Sequence, residues 1–184
     1  MDYKSRLLKI LKDKSHKKGK FVLSSGKESD FYIDGKQTTL NAEGSYLVGK
    51  LFYNMIRQTE VPVEGVGGLS LGADPIVIAI SMTSYIEGDP IHAFIIRKEP
   101  KKHGTSLWVE GNKNLKKGSR VAIVDDVVTT AGSTLKAIHL AKEEGYEIVK
   151  VLTLVDREEG GRENLAKEGY QLDALFTKAD FLND

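Results

Sequence analysis

The chain has 184 residues, 40% of them hydrophobic, enough for one domain with a genuine core. Twenty-seven Lys and Arg against 26 Asp and Glu leave a net charge of +1, which argues against a nucleic-acid or membrane surface as the main partner. The absence of cysteine argues against a disulfide framework or thiolate metal site and suits a reducing cytoplasm. The first residues, Met-Asp-Tyr-Lys-Ser-Arg, carry no apolar signal core, and no apolar run approaches membrane-spanning length, so a soluble cytoplasmic protein is expected.

Tyr3 to about Lys14 places Leu7, Ile10 and Leu11 on one helical face and runs into a basic stretch, Lys12 to Lys20. Phe21 to Asp34 reads as two short strands around a Ser/Gly turn. Asn41 is placed to cap a helix reaching about Gln58, with Leu47, Leu51, Met55 and Val48, Phe52, Ile56 as its buried stripe. Val63 to Gly67 patterns as a core strand ending in glycines. Asp74-Pro75 is a helix start, Asp as cap and Pro as first helical residue. Ile91 to Ile96 is the next strand, and residues 99–119 are a charged stretch without periodicity, a long loop or small hairpin. Ile148 to Val155 and Leu172 to Phe176 are further strands, separated by a short helix, Gly161 to Glu168, closed by Gly169. Alternating β and α elements predict a parallel sheet flanked by helices.

Residues 120–134, Arg-Val-Ala-Ile-Val-Asp-Asp-Val-Val-Thr-Thr-Ala-Gly-Ser-Thr, carry the chemistry. Val121 to Val124 is an apolar, β-branched run that reads as a strand buried on both faces. Asp125 and Asp126 fall where that strand should emerge. The small hydroxylated loop Thr129 to Ser133 then opens into a helix through Leu135, Ile138 and Ala141, ending at Gly145. Such a loop before a helix N-terminus lets backbone N–H groups and hydroxyls meet a phosphate. Two adjacent carboxylates beside a phosphate make sense if they accept from vicinal hydroxyls or face a hydrated Mg²⁺. Phosphate on one side and diol on the other describe a ribose 5-phosphate.

This stretch resembles the phosphoribosyl-pyrophosphate (PRPP) signature of the type I phosphoribosyltransferases. The resemblance implies that fold, with a small hood built from N-terminal elements and a mobile lid loop. It also implies that Asp125 and Asp126 meet the ribose hydroxyls and that Val127, Val128, Thr129, Thr130, Ala131, Gly132 and Ser133 wrap the 5-phosphate.

Arg97-Lys-Glu-Pro-Lys-Lys-His-Gly104 is similar to the lid of the orotate-specific members, and Phe21-x-Leu-x-Ser-Gly-x-x-Ser with Tyr32-x-Asp34 resembles their N-terminal signature. On that resemblance Lys98 and the Leu69, Ser70, Leu71, Gly72 loop hold pyrophosphate. Arg97, Lys101 and His103 close over it, and Lys98, Lys101, Asp125 and Asp126 form the catalytic set. Thr129 and Arg157 meet orotate, the guanidinium pairing with its carboxylate. Mg²⁺ arrives mainly on PRPP, with Asp125 and Asp126 as water-mediated contacts. A lid that reaches the neighbouring site implies a homodimer. One phosphoribosyltransferase domain over residues 1–184, without an attached decarboxylase, is expected, acting in de novo pyrimidine synthesis. Ser24 and Leu71 stand where some members carry Lys, so those cationic contacts must be missing or come from elsewhere.

Competing motifs weigh less. Gly68-Leu-Ser-Leu-Gly72 has the form of a hydrolase nucleophile elbow, and Asp126 and His139 follow in a suitable order. However, His139 falls mid-helix, and no oxyanion-type glycine loop is evident. Gly44 to Lys50 mimics a Walker A loop but lacks the Ser/Thr after Lys and lies inside an amphipathic helix. Gly65-x-Gly67 lacks the third glycine of the dinucleotide fingerprint, with Ser70 in its place.

Overall fold

The structure, a computed structural model, describes residues 2–22, 28–100 and 107–182. Helix α1 (Tyr3–Ile10) is capped by Asp2, whose carboxylate accepts from Ser5 N at 2.9 Å. The helical pattern runs out earlier than the sequence suggests. Leu11–Ser15 is a π-turn, and the basic stretch that follows is strand β1 (His16–Val22), paired antiparallel with β2 (Glu28–Ile33). Lys-rich sequence has little intrinsic strand preference; long-range pairing overrides it here. His16 packs against Phe31 and Phe181, and buried Ser15 shares a 2.6 Å hydroxyl bond with Thr38 of the short helix α2 (Lys36–Thr39). Helix α3 (Ala42–Arg57) starts where expected, with Asn41 Oδ1 accepting from Gly44 N at 3.1 Å. Of its predicted stripe, Leu47, Val48, Phe52 and Ile56 are buried, while Leu51 and Met55 are half-buried.

The larger sheet is built from β3 (Gly65–Leu69), β4 (His92–Ile96), β5 (Val109–Glu110), β6 (Arg120–Val128), β7 (Glu147–Asp156) and β8 (Leu172–Thr177). Its order is β5-β4-β3-β6-β7-β8, parallel except for the antiparallel edge pair β4–β5. That edge pair makes the charged stretch after β4 a hairpin in its described part. Helix α4 (Asp74–Ile86) joins β3 to β4. Helices α5 (Gly132–Glu143) and α6 (Gly161–Lys167) follow β6 and β7, and α7 (Ala179–Leu182) follows β8. Asp74 is the first helical residue rather than the cap, and burial raises its carboxyl above the usual range.

Alternate side chains of the strands feed two apolar layers. Val66, Ala122, Val124 and Leu152 pack with Leu47, Phe52, Ile76 and Ile80 of α3 and α4. Phe94, Ile96, Val121, Ile123 and Val151 pack with Ala137, Ile138 and Leu165 of α5 and α6. The glycines expected at the end of β3 lie within it instead, because neighbours occupy their side-chain space. A Cβ on Gly67 would lie 2.2 Å from the Phe94 ring, which is 1% exposed and cannot swing away. Gly67→Ala should therefore cost about 1–3 kcal/mol in denaturant unfolding. Combining it with Phe94→Leu should destabilise by less than the sum of the two single changes; simple additivity would show that the ring is not what excludes the Cβ.

Candidate active site

The chain runs outward from β3 to β4, returns to place β6 on the other side of β3, and continues away through β7 and β8. The sheet therefore reverses its winding between β3 and β6, and a crevice opens at the carboxyl ends of these strands. The loop after β3, Leu69 to Gly72, forms one wall, and the Ser70–Leu71 peptide is cis. The other wall is the end of β6, which carries Asp125 and Asp126 inside the strand rather than beyond it. Ladder pairing with β7 continues through Asp125↔Thr153 to Val128↔Asp156, which fixes both carboxylates on the sheet.

A cleft of about 220 Å³ brings together Leu69, Ser70, Leu71, Gly72, Lys98, Asp125, Asp126, Val127 and Ser133. It also includes Lys36, which the sequence reading did not single out. The walls touch through glycine. A Cβ on Gly72 would lie 2.3 Å from Asp126 Oδ1, and one on Gly35 would lie 3.0 Å from Asp126 Cβ.

The two carboxylates have different surroundings. Asp125 is 8% exposed and accepts from Thr134 Oγ1 at 2.9 Å and Asp126 N at 3.0 Å. Burial, and then the neighbouring Asp126 charge, push its pKa up to about 7. Asp126 accepts from Val127 N at 3.0 Å, and its Oδ2 lies 3.8 Å from Lys36 Nζ. Burial raises its pKa too, although the Lys36 charge and the backbone bond act against that. Lys36 Nζ is 2.7 Å from Asp34 Oδ1, an interaction that raises the lysine's pKa. Burial alone would raise Asp34, but hydrogen bonds from Lys36 and Gln37 and the Lys36 charge outweigh it and hold its carboxyl below the usual range.

Beyond β6 the chain turns through Ala131, a non-glycine residue at φ 65° that is 3% exposed, before α5 begins at Gly132. A left-handed alanine costs of order 1 kcal/mol, and such strain concentrates at ligand-binding turns. The loop is braced from behind. Asn164 Nδ2 donates to Thr130 O at 3.1 Å, and a Cβ on Gly161 would meet Thr129 O at 2.7 Å. The space in front of Gly132 is open: a Cβ there would meet nothing within 4 Å.

The remaining expected residues are placed unevenly. Arg97 does not line the cleft. Its Nη1 is 3.1 Å from Glu110, and its N donates to Trp108 O at 2.9 Å. Lys98 lines the cleft, and its carbonyl accepts from Lys136 Nζ at 2.8 Å, with Lys136 5.2 Å from the Trp108 ring centroid. Lys101 and His103 lie outside the described residues. So does Ser24. Arg157 is 4% exposed, with its backbone N on Val128 O, one residue from Thr129. Its Nη2 donates to Phe31 O at 2.9 Å and lies 2.7 Å from Glu159, and its guanidinium centre is 5.6 Å from the Phe31 ring centroid. Arg157 therefore contacts β2 and stands outside the lining of the cleft that holds the carboxylate pair. His139 is on the outer face of α5, 2.6 Å from Glu168, so no Ser70–His139–Asp126 triad exists.

Among the described residues, no group of three or more His, Cys, Asp or Glu is placed to hold a metal ion, and no helix is long and apolar enough to cross a membrane. Asp125 and Asp126 offer hard oxygen donors that suit Mg²⁺ through water, but they do not form a cage.

A desolvated carboxylate pair and a braced hydroxyl loop at the switch point of a parallel sheet define a phosphoribosyltransferase-type site. A sequence-family model described as "Phosphoribosyl transferase domain" matches residues 50–174. The chain is 46% identical to the orotate phosphoribosyltransferase of Aquifex aeolicus, covering 97% of both chains. It is 46% identical to that of Synechocystis, covering 95% of this chain and 86% of the relative. Among solved structures, Mycobacterium tuberculosis orotate phosphoribosyltransferase in complex with PRPP superposes with a TM-score of 0.79 at 32% identity, covering 98% of this chain and 99% of that one. The chain belongs to the orotate phosphoribosyltransferase family.

The carboxylate environment predicts a pH signature. In the unfolded chain Asp125 titrates at the ordinary aspartate value of 3.8 and in the fold at about 7, so between these limits the native state binds the extra proton. Its stabilising contribution is full below pH 3.8 and is lost as pH rises through 7. In chemical unfolding without ligand, the stability of the wild type relative to Asp125→Asn should fall across this window. Parallel profiles would show that Asp125 ionises normally.

Proposed function

We infer that the chain is an orotate phosphoribosyltransferase, joining orotate to PRPP to give orotidine 5′-monophosphate and pyrophosphate in pyrimidine synthesis. The observation that carries this reading is the convergence of the Asp125–Asp126 pair, the Thr129–Ser133 loop and the Leu69–Gly72 loop on one crevice.

The 5-phosphate is seated on residues 127–133, where a helix N-terminus and small residues admit an anion. The ribose hydroxyls donate to Asp125 and Asp126, and pyrophosphate lies along Leu69–Gly72 and Lys98. In the reaction the bond from ribose C1 to the pyrophosphate oxygen breaks, and a ring nitrogen of orotate takes its place on C1, its N–H proton passing to solvent or to the departing pyrophosphate. Orotate brings the nucleophile and PRPP the leaving group, so the protein aligns both and stabilises charge. The carboxylate pair favours the positive charge that develops on the ribose, and Lys98 favours the departing pyrophosphate. Mg²⁺ bound to PRPP would neutralise part of that same leaving charge, with Asp126 reaching it through water. Arg97, Lys101 and His103 close over the site, and Thr129 and Arg157 receive orotate.

Residues 1–184 act as one catalytic domain, and the cysteine-free, near-neutral chain suits the cytoplasm. We read it as a homodimer. Ile78, Met82, Tyr85 and Ile86 form a stripe on α4 that is 47–76% exposed, and α4 begins directly after the Leu69–Gly72 loop, where Leu71 is 66% exposed. A second copy covering that stripe would bring its own lid near this cleft.

Side-by-side assays with orotate, uracil, hypoxanthine and adenine should show turnover of orotate alone; transfer to a purine or to uracil at a comparable rate would reject the reading. Orotate differs from uracil by one carboxylate, and a charged hydrogen bond to it is worth about 1.5–3 kcal/mol, roughly 10- to 150-fold. Arg157→Ala should lower kcat/KM for orotate by that factor with PRPP binding nearly unchanged, and Lys at this position should recover only part. Loss of PRPP affinity with orotate preference intact would move the carboxylate contact elsewhere. Met82→Glu should convert dimers to monomers in light scattering and lower activity; an unchanged mass would place the interface on another face.

A further inference from the structure

We propose that Lys36 is a second pyrophosphate-binding cation of this site, acting across the cleft from Lys98. The proposal rests on the phosphoribosyltransferase reading above and assigns a residue to its leaving-group end. Two ammonium groups line the crevice among the described residues, Lys36 and Lys98. The loop between them, Leu69-Ser-Leu-Gly72, brings no charged side chain. Asp125 and Asp126 make the same cleft acidic, so a bound polyanion needs compensating charge close by.

Lys36 is held in place for this role. Its own N donates to Asp34 Oδ1 at 3.2 Å, and its Nζ lies 2.7 Å from the same oxygen. Asp34 N donates to Ser15 O at 3.0 Å, which ties the segment to the turn after α1. Gly35 packs directly on Asp126, so the backbone beside Lys36 lies against the cleft wall. The 3.8 Å separation from Asp126 Oδ2 is an ion pair without a hydrogen bond. An ammonium carries three donors, and Asp34 engages one, so donors remain for phosphate oxygens. The side chain is 42% exposed, open to an arriving ligand. A surface lysine beside an aspartate is ordinarily a solvated pair of little consequence. This one differs because its backbone is wedged against the catalytic carboxylate and its head lines the cleft.

The test is Lys36→Met with Lys36→Arg as rescue, thermal unfolding reporting the fold and Lys36→Gln replacing the Met variant if that fails to fold. KM for PRPP and the inhibition constant of pyrophosphate should both rise about 10-fold or more. Inhibition by ribose 5-phosphate and KM for orotate should stay within about two-fold, and Arg should restore most of the loss. Equal weakening of ribose 5-phosphate and pyrophosphate would mean that Lys36 acts only through Asp126 and would overturn the assignment, as would no change in either. Calorimetric binding of Mg²⁺-pyrophosphate to the wild type separates this from the choice of base. A protein that binds pyrophosphate through Lys36 but does not turn over orotate keeps the assignment and rejects the orotate reading.

Discussion

Three distant stretches of chain close on one carboxylate, that of Asp126. The strand β6 carries it, a Cβ on Gly72 of the β3 loop would lie 2.3 Å from its Oδ1, and Gly35, just ahead of α2, packs on its Cβ. Lys36 then stands 3.8 Å from its outer oxygen. Burial opposes ionisation, and the lysine and the Val127 amide oppose burial. Asp125, one residue earlier, has a hydroxyl and an amide but no ion-pair partner among the described residues, and its carboxyl is raised to about 7. Each carboxylate keeps acceptor capacity beyond these partners, which on the proposed reading a vicinal diol would use. On the proposed reading, a ligand supplying hydroxyls recovers a desolvation cost already present in the fold, so specificity for a ribose would rest on the same burial that makes the pair costly.

The strand order makes this convergence unavoidable. With β3 and β6 adjacent and their crossovers leading in opposite directions, the loops after both strands diverge over a single crevice. Close approach is set inside the sheet as well as at its end. Gly67 yields its side-chain space to Phe94, and a Cβ on Gly68 would meet Val124 O at 2.2 Å and Ala73 Cβ at 2.5 Å. These contacts draw β3 and the start of α4 onto β6, so the loop between them reaches Asp126. Packing of the core and spacing of the site are one feature here.

What the sequence made legible follows from range. The apolar run Val121–Val124, the carboxylates after it and the small-residue loop are contiguous, so fold class and the candidate site could be read from one segment. The capped helix at Asn41 was equally local. The two strands around the Ser/Gly turn were expected, but the first part of β1, His16 to Lys20, was hidden, because its lysines follow no apolar alternation and only pairing with β2 makes it extended. Lys36 and Lys136 were missed for a related reason: each matters through a partner far along the chain, Asp126 and Lys98 respectively, and Glu110 matters only through the hairpin that brings it to Arg97. The sequence did carry one signal for Lys36, since it follows Asp34 by two residues inside a segment already marked by Tyr32-x-Asp34.

The cations around the crevice divide into those placed in advance and one held aside. Lys36 is fixed by Asp34, and Arg157 by Phe31 O and Glu159. Arg97 instead pairs with Glu110, both side chains 41% exposed. An exposed pair of that kind is worth about 0–1 kcal/mol, so exchanging Glu110 for a phosphate oxygen costs little. Arg157 is the opposite case. Buried at 4% exposure, it could not be reoriented without stranding its charge, so its position must be correct before orotate arrives. On the reading proposed here, the site therefore recognises the base carboxylate with a rigid group and meets the leaving pyrophosphate partly with an exchangeable one. That division suits a reaction in which one anion must be aligned for attack and the other must be released.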